Sequence, residues 1–479
     1  MRKHLITIIA LALLLLTAQG QTLPSATEGR AKEAGLPFVT WFSPETYQGS
    51  SQVFAVEQDD RGLIYIGTGV GIREYDGSSW RSISTPHNSI VRGMAKGTDG
   101  RIYLGEVGDI GYLQPDQRGE MRYVSLLEFV PPEDRNFQDV VRVIVTPEGI
   151  YFQPREILMR LTRDGNGWRY KSWKLNQPFS QPYYVYGTLY VRSSDGGVYR
   201  MAGDALQPMM LRGPFIQANN RMTLLLPFSE ATGEMLLGTR YGDLYVLAGE
   251  TLRPFVSEAT PLLRKLGIIR AVALPDGAYG ILTSIGGFVI LERNGKLRRH
   301  LDRAAGILSD GGHNILVDRT GTVWLALQSG LAKVEATSPL TEFSRANGLS
   351  GSVVEIVRYR GELHIGTTNG FQRLDAATGQ FQMVAEVNDP ETFGLLVHGD
   401  NLLVSTATGG IFAFTGHRVT GVLRFPRAST GLYSMAQSRQ DANRVWVCTS
   451  EGLAAIRKDP AGRWAYEGMI ENLPVLRSI

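Results

Sequence analysis

Residues 51–80 read SQVFAVEQDDRGLIYIGTGVGIREYDGSSW. Val53-Phe54-Ala55-Val56 has the composition of a short inner strand, and Asp59-Asp60-Arg61-Gly62 that of a turn. Leu63 to Thr68 follows as a second strand rich in β-branched and aromatic residues. A tight turn closes on Gly71, a third strand runs through Ile72 and Tyr75, and Asp76-Gly77 turns the chain into a fourth strand beginning at Ser79-Trp80. Four short strands punctuated by Gly and Asp are what one blade of a β-propeller requires.

The unit recurs. The position of Tyr65 returns at Tyr103, Tyr151, Tyr190, Leu236, Ile281, Trp324, His364, Leu403 and Trp446. The steps average about 42 residues, a spacing suited to four-stranded blades. A glycine stands six residues later at Gly71, Gly196, Gly242, Gly287, Gly330, Gly370, Gly409 and Gly452, where a two-residue hairpin demands positive φ. The second and third units carry Asp109 and Ile157 there instead. Aromatic residues at one place in many units point to packing between blades rather than to a stacking platform for sugars. Asp59 and Asp318 fit turn positions that accept backbone hydrogen bonds.

The expected fold is therefore all-β: a seven-bladed β-propeller of four-stranded blades over residues 35–342, then three blades and the first strand of a fourth over 343–479. Phe38 to Phe42 can supply the outer strand of a blade whose other strands lie much later, closing the ring and removing exposed sheet edges. Tyr112 to Asn136, charged and containing Pro131-Pro132, reads as an extended loop between blades. Residues 473–479, LPVLRSI, resemble the opening of another inner strand. Either the natural chain continues or all ten units share one ring, and usual ring sizes of four to eight blades favour continuation.

Composition sets the class. The chain of 479 residues is 43% hydrophobic and 20% charged, with 55 glycines and a net charge of +3. No basic run alternates with aromatics, so a nucleic-acid partner is not expected. Residues 1–20 have the form of a secretory signal: Arg2, Lys3 and His4, an apolar run from Leu5 to Leu16, then Ala18-Gln19-Gly20. Residues 21–34 read as a flexible lead. The one cysteine, Cys448, lies in the apolar strand Val445-Trp446-Val447-Cys448 and reads as a small buried hydrophobe.

Asp318-Arg319-Thr320-Gly321-Thr322-Val323-Trp324-Leu325-Ala326, followed by Gly330-Leu331 and then Gly348-Leu349-Ser350-Gly351-Ser352-Val353-Val354, resembles the two-component regulator propeller repeat. Residues 59–71, 361–371 and 443–449 are similar copies, and the resemblance is weakest between Asn136 and Arg200. It implies a periplasmic ligand-sensing propeller region of a signal-transduction receptor. In that family two seven-bladed rings often precede a β-sandwich, a transmembrane helix and a cytoplasmic output module such as a histidine kinase or diguanylate cyclase. It implies an inner-membrane tether and an output module lying beyond Ile479. The motif signs a fold and brings no catalytic residues.

No phosphate-binding loop, paired cysteines, His-Glu-x-x-His or Gly-x-Ser-x-Gly occurs, so neither a cofactor nor a metal site is expected. Function should lie where the units differ. The loop between second and third strands and the loop entering the innermost strand share one face of a propeller. Glu106, Asp109, Arg240, Tyr241 and Gln328 in the former, with His87, Asn136 and His313 in the latter, form a candidate polar cup for a small anionic or hydroxylated ligand, an oligosaccharide included. A homodimer would be one means of passing on the signal. The competing readings are a propeller enzyme, such as a glycan or cyclic-peptide lyase, and an envelope protein-interaction scaffold.

Overall fold

In the computed structural model, residues 33, 35–165, 167–213, 220–426 and 431–470 are described. The signal at 1–20, nearly all of the lead at 21–34 and the segment 473–479 lie outside them. Among the described residues, forty strands fall into ten four-stranded antiparallel sheets, each running from an inner to an outer strand.

Seven of these blades occupy Pro37–Leu340, one compact unit. Their inner strands, Val53–Gln58, Gly93–Lys96, Arg142–Thr146, Phe179–Val185, Met222–Ser229, Ile268–Ala273 and Gly312–Val317, each touch the next, and the seventh touches the first. The ring is closed. Its fastening is the strand Val39–Phe42, which pairs with Gly330–Val334 in the register Thr40 to Lys333 and Trp41 to Ala332 and becomes the outer strand of the seventh blade. The N-terminal residues thus fill the place their composition indicated.

Apolar side chains fill the gaps between neighbouring blades. Between the seventh and first, Phe42, Val53, Val56, Ile66, Trp324 and Leu331 form one buried cluster. Phe42 stacks on Trp324 at 5.8 Å and meets Tyr75 and Trp80 edge-on at 5.3 and 5.7 Å. The repeating aromatic is held by the repeating aspartate. Trp324 Nε1 donates to Asp318 Oδ2 at 2.9 Å while Asp318 Oδ1 accepts from the Thr320 and Thr322 amides. In the first blade the Tyr65 hydroxyl donates to Asp59 Oδ2 at 3.0 Å, and Asp59 Oδ1 accepts from the Arg61 and Leu63 amides. One carboxylate therefore shapes the turn and anchors the packing ring at once.

All eight glycines six residues beyond the marker have positive φ, from 78° to 134°. The second blade meets the same demand differently: its hairpin joins Glu106 to Asp109 through Val107-Gly108, with Gly108 at φ 73°. In the third blade a longer link through Pro154 joins Gln153 to Leu158. The reading of Tyr112 to Asn136 as a loop is corrected. Asp109–Pro115 and Met121–Ser125 are the outer strands of the second blade, and irregular structure begins only at Leu126. The outermost strand faces water, so its polar residues imitate a loop.

The other unit includes the described residues between Thr341 and Ile470 together with Glu33, Gly35 and Leu36. It holds three blades, with inner strands Val353–Tyr359, Thr392–His398 and Leu432–Gln437 packed in sequence. Leu36 bridges to Glu342, and Arg358 pairs with Glu33 at 2.7 Å. Val353, Val354 and Ile356 on the first inner strand are exposed. Cys448 is fully buried. Among the described residues no helix is long and apolar enough to cross a membrane.

Gly330 at φ 117° would place a Cβ 2.6 Å from the Trp41 ring and 2.8 Å from the Phe42 carbonyl oxygen, whereas Gly77 at φ 99° has open space. We predict that Gly77→Ala costs about 1 kcal/mol through backbone strain alone. Gly330→Ala should cost more, because it also pushes on the fastening strand, and equal melting temperatures for the two variants would contradict that packing.

Candidate functional site

Glu106 ends the second strand of the second blade and Asp109 begins the third, so the tight hairpin sets them opposite each other. The loop entering that blade folds over them. Glu106, fully buried, accepts hydrogen bonds at Oε2 from Thr85 Oγ1 (2.7 Å), Ser89 Oγ (3.1 Å) and the Ser89 amide (3.3 Å), and at Oε1 from the His87 amide (3.2 Å). Asp109 accepts from Ser125 Oγ at 2.7 Å and the Tyr123 hydroxyl at 3.1 Å. Burial pushes the Asp109 carboxyl above its ordinary range against the pull of those donors, and the Glu106 charge adds to the rise. The neighbouring Tyr123 phenol is raised by burial and then by the Asp109 charge.

Ligand atoms of His87, Glu106 and Asp109 lie within 4.8 Å of one another, a donor set able to hold a divalent cation. Glu106, however, already meets four protein donors, which fits a latch that fixes the entry loop. The structure thus joins three of the sequence candidates.

The rest are placed separately. Arg240 and Tyr241 are exposed on the hairpin of the fifth blade, where the Tyr241 amide donates to Asn220 Oδ1. Gln328 is exposed on the hairpin of the seventh, and Asn136 is exposed ahead of the third blade. Among the described residues no hydrogen bond or ion pair links these four to the His87 group.

His313 belongs to a different group, one that sequence reading missed. At the start of several inner strands the register slips by one residue; Phe54 and His313 are the extra residues in the first and seventh blades. Such bulges re-aim side chains, and here they bring together residues from separate blades. The His313 ring lies 4.7 Å from Phe54, whose other neighbour is the Arg92 guanidinium at 4.3 Å. Arg92 pairs with Asp139 at 2.5 Å. Arg270 donates to the His313 carbonyl oxygen at 3.1 Å. Burial, then the charges of Arg92 and Arg142, depress the His313 imidazole to about 4. His313 sits in the seventh blade and Arg142 in the third, so an interaction between them crosses the axial space. A signal existed: an arginine stands at or beside the first residues of the inner strand at Arg92, Arg142, Arg221 and Arg270.

No family model matches the chain, and no curated protein matches it in sequence. Among solved structures, an extracellular domain described as part of a hybrid two-component system of B. thetaiotaomicron is similar with a TM-score of 0.65 at 15% identity. The match covers 88% of this chain and 59% of that one. The likeness establishes the propeller fold. This chain spans 59% of that neighbour's length. A second extracellular domain from the same organism, described as a one-component system, aligns over 90% of this chain and 67% of its own at 16% identity and a TM-score of 0.49. Virginiamycin B lyase from Staphylococcus aureus aligns over 62% of this chain and 98% of its own at 14% identity and 0.47. The last two likenesses are too loose to bear on function.

Because His313 titrates lower in the folded protein than the ordinary value of 6.5, the folded state binds fewer protons than the unfolded one between those two pH values. Its contribution to stability is complete above about pH 6.5 and is lost as pH falls through about 4. We predict that melting temperature drops more steeply across that window in the wild type than in His313→Gln; parallel curves would show that His313 does not sit half-buried beside the arginines.

Proposed function

We propose that this chain is the extracytoplasmic ligand-sensing region of a bacterial-type signal-transduction receptor, non-catalytic in itself. The observation that carries the reading is the arrangement of a closed seven-blade ring followed by further blades, which is similar in fold to a domain described as extracellular and belonging to a two-component system. The secretory form of residues 1–20 supports export to the periplasm, and the repeat resemblance supports a tether to the inner membrane.

In this reading the ligand is a small molecule or oligosaccharide taken at the channel face of the ring, where loops of different blades converge. Binding alters packing against a partner, a second copy of the chain being the simplest, and an output module on the cytoplasmic side reads the change. Exposed Val354 and Ile356 on the first inner strand of the three-blade unit support further blades of the same protein covering them, since a blade face is apolar on both sides.

A melting-temperature screen of residues 21–479 against neutral sugars, oligosaccharides and small organic acids tests this. We expect one chemical class to raise the midpoint saturably, because a ligand that binds only the native state stabilises it by mass action. Turnover of a glycan or cyclic peptide, with no stabilising ligand, would overturn it.

A further inference from the structure

The end of the seven-bladed unit at which its inner strands begin gathers cations with few acids to match them. Arg92, Arg142, Arg221 and Arg270 stand at the starts of the second, third, fifth and sixth inner strands. Arg192 joins them from the second strand of the fourth blade, where it pairs in register with Gln181. Asp139, bound to Arg92, is the one carboxylate that forms an ion pair with any of the five among the described residues.

Arg192 decides the matter. Its side chain is only 1% exposed, and its Nη2 donates to Ser180 Oγ, yet Nε and Nη1 are buried with no hydrogen-bond partner among the described residues. Arg142 Nε and Arg270 Nη2 are buried and unpartnered in the same way, although Arg142 Nη1 donates to the Val141 carbonyl oxygen at 2.6 Å. Three guanidinium groups from three blades thus each hold back at least one donor. Burial, then the charge of Arg92, brings Arg142 down to about 10, and burial with Arg221 lowers Arg192. A buried cationic donor left unmatched is costly, and guanidinium groups crowded together repel. Their most economical partner is an oxyanion, whose planar or tetrahedral oxygens match the guanidinium fork. Phe54, against the Arg92 guanidinium, and Tyr183, within reach of the charges of Arg142 and Arg192, are both buried and supply apolar surface.

We propose that this end of the ring binds a small oxyanion, a sulfate, phosphate or carboxylate group, through Arg142, Arg192 and Arg270, with Arg92 and Arg221 contributing favourable field. The assignment deepens the sensing reading and rests on it for the meaning of binding, since it names the class of ligand the ring would recognise. Binding itself depends on the arginines alone.

Titration calorimetry on residues 21–479 at constant ionic strength tests it with sodium sulfate, sodium phosphate, citrate and galacturonate, and with glucose as a neutral control. We expect saturable binding of at least one of the anions, none of glucose, and a loss of tenfold or more in affinity in Arg142→Gln and in Arg192→Gln. Arg169→Gln, on the exposed outer strand of the third blade, should bind as the wild type does. Tighter binding of galacturonate than of sulfate or phosphate would place the anion on a sugar, and the reverse would identify a free ion. Should a glutamine variant fail to fold, Arg192→Lys, which retains the charge but loses the fork, must still weaken binding. The proposal is overturned if no anion binds, or if the glutamine variants bind as tightly as the wild type. Stabilisation by a neutral oligosaccharide alone would leave the sensing reading standing while removing this one.

Discussion

A four-stranded blade buries apolar side chains on both faces, so within residues 37–340 no blade can end the row without leaving one face in water. The contact of Phe42 with Trp324, Tyr75 and Trp80 meets that requirement. It joins the first strand of the unit to its seventh and first blades at once, and the backbone pairing of Val39–Phe42 with Gly330–Val334 holds it in place. Residues almost three hundred positions apart share one sheet, and the ordering of every blade between them follows from that closure. The energy is mostly interfacial: each blade contributes a layer to the clusters on either side, as the buried groups around Tyr103 and around Leu236 illustrate.

Closing a ring also aims the starts of all inner strands at a common axis. Where a bulge or an arginine occurs there, side chains from blades that are distant in sequence come within reach of each other's charge, as Arg142 does with His313. The ring thereby assembles a functional surface from positions that no single repeat contains. The buried Glu106 has the complementary role. By accepting from the residues 85–89 that lead into the second blade, it holds rigid the loop leading to Arg92.

Much of this was legible in the residues because the physics repeats. The period of the aromatic marker fixed the blade count, the recurring glycine marked a turn that needs positive φ, and Asp59 and Asp318 announced turns they do shape. What stayed hidden has equally physical causes. Met121–Ser125 is an outer strand with mostly half-exposed side chains, so its polarity resembled that of a loop. In the third blade Pro154 falls in a longer link, and the repeating glycine has no function there. Of the candidate site residues, Glu106, Asp109 and His87 converge because one hairpin and its entry loop carry them. The arginines escaped notice because each looks like an ordinary charged residue at a strand end until closure places them together.

Cross-linking across the closing pair measures the central claim most directly. Thr40 and Lys333 are opposite each other in the register, and the native chain has only the buried Cys448 as a competing thiol. In Thr40→Cys/Lys333→Cys, oxidation should give an intramolecular disulfide that runs anomalously on a non-reducing gel and raises the melting temperature, since it ties a very long loop. Failure of that bond to form, while each single variant folds as the wild type does, would contradict the closed seven-blade ring and the channel built on it.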